Sequence, residues 1–104
     1  MVTKDGKVVV FHDDDVERLT GAKGLLADLT WDEVSKLRVQ RRLFMGKDEG
    51  GGDVIMEYER EERIPLLEEV LDELAGKMAI NVELKPALSA WDQRKDGAAV
   101  AKVI

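Results

Sequence analysis

The sequence predicts an α/β protein built from βα units of a parallel sheet or barrel, and three observations carry that expectation. An apolar, β-branched run, Lys7-Val8-Val9-Val10-Phe11, has strand length and follows an Asp-Gly turn. The run from Ile64 to Gly76 has the apolar spacing of an amphipathic helix. A second strand-like run, Met78 to Lys85, comes directly after it, and a further helical pattern starts at Gly97. Strands and helices in alternation are the mark of βα units. The pattern starts and stops partway, so the chain is expected to begin and end in mid-fold.

Taken in order, Asp5-Gly6 can adopt the left-handed angles of a tight turn, which makes Lys7 to Phe11 the second arm of a hairpin. Only Met1 to Lys4 precede the turn to form the first arm. Residues 12–29 hold Thr20-Gly21 and Gly24 with too little apolar rhythm for a helix, and read as a loop. Thr30-Trp31-Asp32-Glu33 is a capping box, opening a short helix from about Trp31 to Leu37 with Val34 and Leu37 on one face. Residues 38–63, with Gly46 and Gly50-Gly51-Gly52, read as an inserted surface loop in which Val54-Ile55-Met56 could form a short strand. In the next helix Pro65 suits the start, Gly76 suits the end, and Leu67, Val70, Leu71 and Leu74 form the buried stripe. The strand Met78–Lys85, stopped by Pro86, puts Ile80, Val82 and Leu84 on one side and Asn81, Glu83 and Lys85 on the other. Ala98, Val100, Ala101 and Ile104 set the final helix.

Composition narrows the class of function. A chain of 104 residues, 44% hydrophobic and 37% charged, suits one soluble domain. Without cysteine it has neither disulfides nor thiolate metal sites, so a metal must sit on oxygens or on the one histidine. A net charge of -6 argues against a partner such as nucleic acid, although a small anion remains open if a metal reverses the local sign. No apolar run approaches the ~20 residues of a membrane span, and no signal sequence is visible. The chain as given reads as cytoplasmic, with an export signal hidden if residues precede Met1.

Four residues could carry chemistry. His12 stands at the C-terminal end of its strand, where α/β sheets and barrels gather functional groups, and Asp13 follows it at once. Asp13, Asp14 and Asp15 also fit a solvated, turn-forming run, and three adjacent acids cannot all face one metal. Glu83 and Lys85 share one face of their strand, either as a surface ion pair or as buried charges that require a partner. Together with His12 they suggest a hard-cation oxygen site beside a general acid/base. The triple glycine is not a phosphate loop, since no Gly-Lys-Ser/Thr follows it. Trp31 at a first helical turn reads as packing, and Trp91 is left open.

Five segments then align in order and spacing with a known family: Thr3-Lys4-Asp5-Gly6, Val9-Val10-Phe11-His12-Asp13, Arg18-Leu19-Thr20-Gly21, Arg63-Ile64-Pro65-Leu66-Leu67-Glu68-Glu69-Val70-Leu71 and Asn81-Val82-Glu83-Leu84-Lys85. Over about four fifths of its length the chain resembles the glycerophosphodiester phosphodiesterases. The resemblance implies a partial (β/α) TIM-barrel-like domain of roughly two to three βα units. It implies hydrolysis of a glycerophosphodiester to sn-glycerol 3-phosphate and an alcohol, with a divalent cation, Ca or Mg, held by carboxylates. His12 matches the second of two acid/base histidines, Glu83 a metal ligand, Lys85 a phosphate-contacting lysine, and Asp13 an orienting or structural partner.

The family's His-Arg-Gly and Glu-x-Asp motifs do not occur in these residues, and one carboxylate cannot hold calcium or magnesium. The isolated chain is therefore expected to be inactive, with an incomplete metal site. Two alternatives stand beside this expectation. One is a non-catalytic half-barrel that self-associates through exposed strand edges. The other is a related phospholipase-type phosphodiesterase.

Overall fold

The computed structural model describes residues 1–85 and 90–104, the first five of the latter by their backbone alone. Pro86, the expected strand stop, and the side chain of Trp91 lie outside the described residues. The Asp5-Gly6 turn closes a hairpin as the sequence predicts. Gly6 takes φ +83°, Val2 pairs antiparallel with Val8, and the Thr3 carbonyl and hydroxyl accept from the amides of Gly6 and Lys7. Asp5 Oδ1 also accepts from Thr3 Oγ1 at 2.6 Å and from the Trp31 amide at 2.9 Å, which ties the turn to the next helix. These donors hold the Asp5 carboxyl below its usual range, the Thr3 hydroxyl most of all.

Beyond the hairpin lie α1 (Glu17–Thr20), a 3-10 turn (Leu26–Asp28) and α2 (Trp31–Lys36). The single turn α1 departs from the expected loop. It forms because Val16 is fully buried, Asp15 Oδ1 accepts from the Glu17 amide, and Thr20 Oγ1 donates to the Val16 carbonyl at 2.6 Å. Gly21 ends it at φ +76°, a left-handed angle that calls for glycine, while the side-chain end of Gln40, 2.6 Å from where a Cβ would stand, could swing aside. The capping box of α2 is formed in both directions, and Trp31 packs against the core as expected.

Residues 38–63, expected as a loop with one short strand, hold four short strands. β1 (Arg38–Val39) pairs with β4 (Glu62–Arg63), and β2 (Arg42–Lys47) pairs with β3 (Asp53–Glu57), both antiparallel. Opposite charges face one another at Arg42 and Glu57, and at Lys47 and Asp53, with a register shift between Phe44 and Lys47. The glycines form the turn between β2 and β3, where the Asp48 side chain accepts from the Gly52 amide. The expected strand Val54–Met56 lies in β3.

α3 (Leu67–Leu74) starts later than Ile64, because residues 64–67 are used as an edge. The Val10 amide donates to the Pro65 carbonyl and the Leu67 amide to the Val8 carbonyl, each at 2.9 Å. α4 (Ala90–Val103) starts earlier than Gly97. No helix among the described residues is long and apolar enough to cross a membrane.

The expected parallel sheet is absent from the described residues: every strand pair there is antiparallel, and residues 78–85 form no strand. Strand propensity needs a neighbouring backbone to become a ladder, and no described residue supplies one to this segment. Its apolar side chains are correspondingly open, with Met78, Ile80 and Leu84 exposed and only Val82 packed on the core. The mixed helix and strand content stands.

Two clusters make the core. Val9, Val16, Leu26, Val34 and Ile64 join the hairpin to α1 and α2. Val2, Val8, Leu67 and Val100 join its other face to α3 and α4. The radius of gyration is 15.1 Å, against about 13 Å for a compact domain of this length. The difference fits a fold in which much of the ribbon, and Met78, Ile80 and Leu84, are not packed inward.

Candidate active site

The hairpin's second arm runs between two fixed edges. Met1 accepts the Val9 amide on one side, and Pro65 accepts the Val10 amide on the other. Phe11 and His12 emerge just past this paired stretch. They open onto a cleft of about 390 Å³ that Val39, Pro65, Glu83 and Lys85 also line. The volume is within the range that holds small organic ligands. Three of the four candidate residues, His12, Glu83 and Lys85, therefore face one space although they come from distant parts of the sequence. Asp13 stands behind His12.

Asp13 is the best-held group of the site. His12 Nδ1 lies 2.9 Å from Asp13 Oδ1, Arg18 Nε donates to Oδ2 at 2.6 Å, and Arg18 Nη2 donates to Oδ1 at 3.0 Å. The Arg18 guanidinium first, and His12 second, hold the Asp13 carboxyl down to about 2. The acidic run thus divides: Asp13 binds side chains, Asp14 gives its carbonyl to the Leu26 amide, and Asp15 forms the turn into α1. Arg18 is the residue that sequence reading left without a role. It stands in the Arg18-Leu19-Thr20-Gly21 segment, which marked the resemblance without assigning it a partner, and only the turn of α1 brings it to Asp13.

A depressed carboxyl stabilises the fold fully above its unfolded value and loses that contribution as pH falls through its folded value. The Asp13 side chain is 18% exposed, yet Arg18 and His12 are 45% and 72% exposed, so solvent screening reduces the gain. An Asp13→Asn chain should lose about 1 kcal/mol of unfolding free energy at neutral pH. The gap to wild type should close between about pH 4 and pH 2. Urea unfolding across that interval checks it, and a gap that persists below the lower limit would remove the carboxylate from the account.

Calcium and magnesium need several protein oxygens, and among the described residues no three His, Asp or Glu side chains come together. Asp13 is already engaged, which leaves Glu83 as the carboxylate of the cleft. The described residues do not by themselves fit such an ion.

Comparison with known proteins places the chain in a family. The model of the glycerophosphoryl diester phosphodiesterase family matches residues 1–104. Proteins named glycerophosphodiester phosphodiesterase from Caldanaerobacter subterraneus subsp. tengcongensis and Bacillus altitudinis are each 34% identical to 84% of this chain. The chain spans 31% of their length, and so about a third of the curated relatives it matches. A crystal structure of a glycerophosphoryl diester phosphodiesterase from Parabacteroides distasonis superposes with a TM-score of 0.50 at 38% identity, over 74% of this chain and 22% of that one.

Proposed function

The chain belongs to the glycerophosphoryl diester phosphodiesterase family, a family of hydrolases, and we propose that it supplies one part of a site that cleaves glycerophosphodiesters to sn-glycerol 3-phosphate and an alcohol. The observation that carries the proposal is the convergence of His12, Glu83 and Lys85 on one cleft. In this assignment His12 gives a proton to the departing alkoxide, since an imidazole exchanges protons near neutrality. Lys85 binds the phosphodiester anion as a point charge and offsets charge that builds on its oxygens. Asp13 orients His12. Glu83 contributes one carboxylate towards a divalent cation, Ca or Mg, whose remaining ligands the described residues do not provide. When bound, such an ion would draw charge from the phosphoryl oxygens.

Residues 1–104 alone should then give no turnover of glycerophosphocholine with calcium or magnesium. The same residues, grafted in place of the matching segment of the Caldanaerobacter relative, should restore it. Turnover by the isolated chain would overturn the proposed division of the site, and a folded but inactive graft would overturn the assigned function.

One observation favours a second reading, a half-barrel that assembles with another copy. β3 is exposed along its whole length, and Phe44, Ile55 and Met56 are open to solvent on the ribbon. Sedimentation at rising concentration separates the two, since a chain that stays monomeric has no need of such a partner.

A further inference from the structure

We infer that Arg18 is a positioning residue of this site: it grips both oxygens of Asp13, and through that carboxylate fixes the His12 ring with its proton on Nδ1. The inference rests on the proposed acid/base role of His12.

Charge and geometry make the steps. An ionised carboxylate only accepts hydrogen bonds, so the contact between Asp13 Oδ1 and His12 Nδ1 requires the proton to sit on Nδ1. Nε2 is then the nitrogen that can take or give a proton. His12 and Asp13 are neighbours in sequence and His12 is 72% exposed, so neither holds the other firmly against rotation. A planar guanidinium bound to both oxygens removes the rotation of the carboxylate in advance, which a single contact cannot do.

Arg18 can act this way because its own backbone is fixed. It sits in α1 between buried Val16 and the Gly21 cap, and the Gln40 amide bonds the Leu19 carbonyl next to it. Among the described residues its side-chain hydrogen bonds go to Asp13 alone. Charge gives a second benefit. The substrate class is anionic, and an Asp13 without Arg18 would leave an uncompensated negative charge against the ring of His12, with Asp14 and Asp15 close by in the chain and Glu83 on the cleft that His12 lines. With Arg18 bound, the Asp13 charge is offset where it meets the ring.

His12 is the sole histidine, so its ring signals in a ¹⁵N-labelled chain are unambiguous. We would record ring ¹⁵N shifts of the neutral imidazole and the pH titration of the Asp13 carboxyl carbon for wild type, Arg18→Met and Arg18→Lys. Wild type should carry its ring proton on Nδ1 and titrate Asp13 at about 2. Arg18→Met should move the ring toward the tautomer mixture of free imidazole and raise the Asp13 midpoint toward about 4. Arg18→Lys should recover part of the carboxyl shift and little of the ring order, because an ammonium cannot hold both oxygens. A wild-type ring protonated on Nε2, or an Arg18→Met chain with ring and carboxyl unchanged, overturns the inference. If Arg18→Met does not fold, Arg18→Gln takes its place: a neutral amide that reaches one oxygen at most should likewise release the ring and raise the Asp13 midpoint, and an unchanged ring and carboxyl overturn the inference equally. None of these readouts needs turnover, so an inactive graft would count against the proposed function while the hold of Arg18 on Asp13 and the His12 ring is read separately.

Discussion

Replacing His12 by asparagine, in residues 1–104 grafted into the longer relative, is expected to lower kcat by about 10²- to 10⁴-fold with a small change in KM. Positioned acid/base groups contribute on that scale. Asparagine keeps a planar, hydrogen-bonding side chain of similar reach and cannot exchange a proton near neutrality, so it removes the chemistry with little change in shape. His12 is largely exposed and outside both core clusters, so the substitution should leave the unfolding midpoint nearly unchanged. Lys85 offers the contrast, because a lost point charge on the substrate weakens binding and should raise KM as well. Initial rates on glycerophosphocholine over a range of substrate concentrations separate the two. A loss below tenfold for His12→Asn would mean that another group protonates the leaving alkoxide, and the proposed role of His12 would fall.

What could be read from the sequence follows the range of the interactions that set it. The Asp5-Gly6 turn and the Thr30–Glu33 capping box are made by residues within a few positions of one another, and both formed as written. The buried stripe of α3 was legible, but its start was not. Ile64 to Leu66 could have extended the helix, and they instead meet the amides of the hairpin arm, a contact no local pattern records. Residues 78–85 show the same limit from the other side, since their alternation marks strand propensity and the described residues supply no neighbour to pair with. In the ribbon, Val54-Ile55-Met56 was legible as a strand, but the pairing of β3 with β2 and the charges that face across it lie beyond what neighbouring residues record. For the site, His12, Glu83 and Lys85 do line one cleft, but Glu83 and Lys85 reach it from a segment that forms no strand, so the same-face spacing that singled them out is not what brings them there. The bond between Arg18 and Asp13 depends on one turn of helix that has no apolar rhythm to announce it, so it could be found only in three dimensions.

Leu26→Ala should be the most damaging single truncation of the fold, costing about 3 kcal/mol within the usual 2–5 kcal/mol of a buried leucine. Leu26 is wholly buried in the cluster that joins Val9 of the hairpin, Val16 before α1, Val34 of α2 and Ile64. It is held there by backbone as well, since its amide donates to the Asp14 carbonyl at 2.8 Å, so the segment cannot easily move inward to fill the space. Stability of a small domain totals about 5–15 kcal/mol, and an open, partly packed chain belongs toward the low end, so the variant should be close to unfolding at 37 °C. Leu25 supplies an internal control one position away. Leu25 is 49% exposed, so Leu25→Ala removes much less buried area and should cost about 1 kcal/mol or less. Thermal and urea unfolding of the two variants should differ clearly. Equal midpoints would mean that the 3-10 turn does not direct Leu26 into the core, and the support that this turn gives to the loop holding Asp13 and Arg18 would have to come from elsewhere.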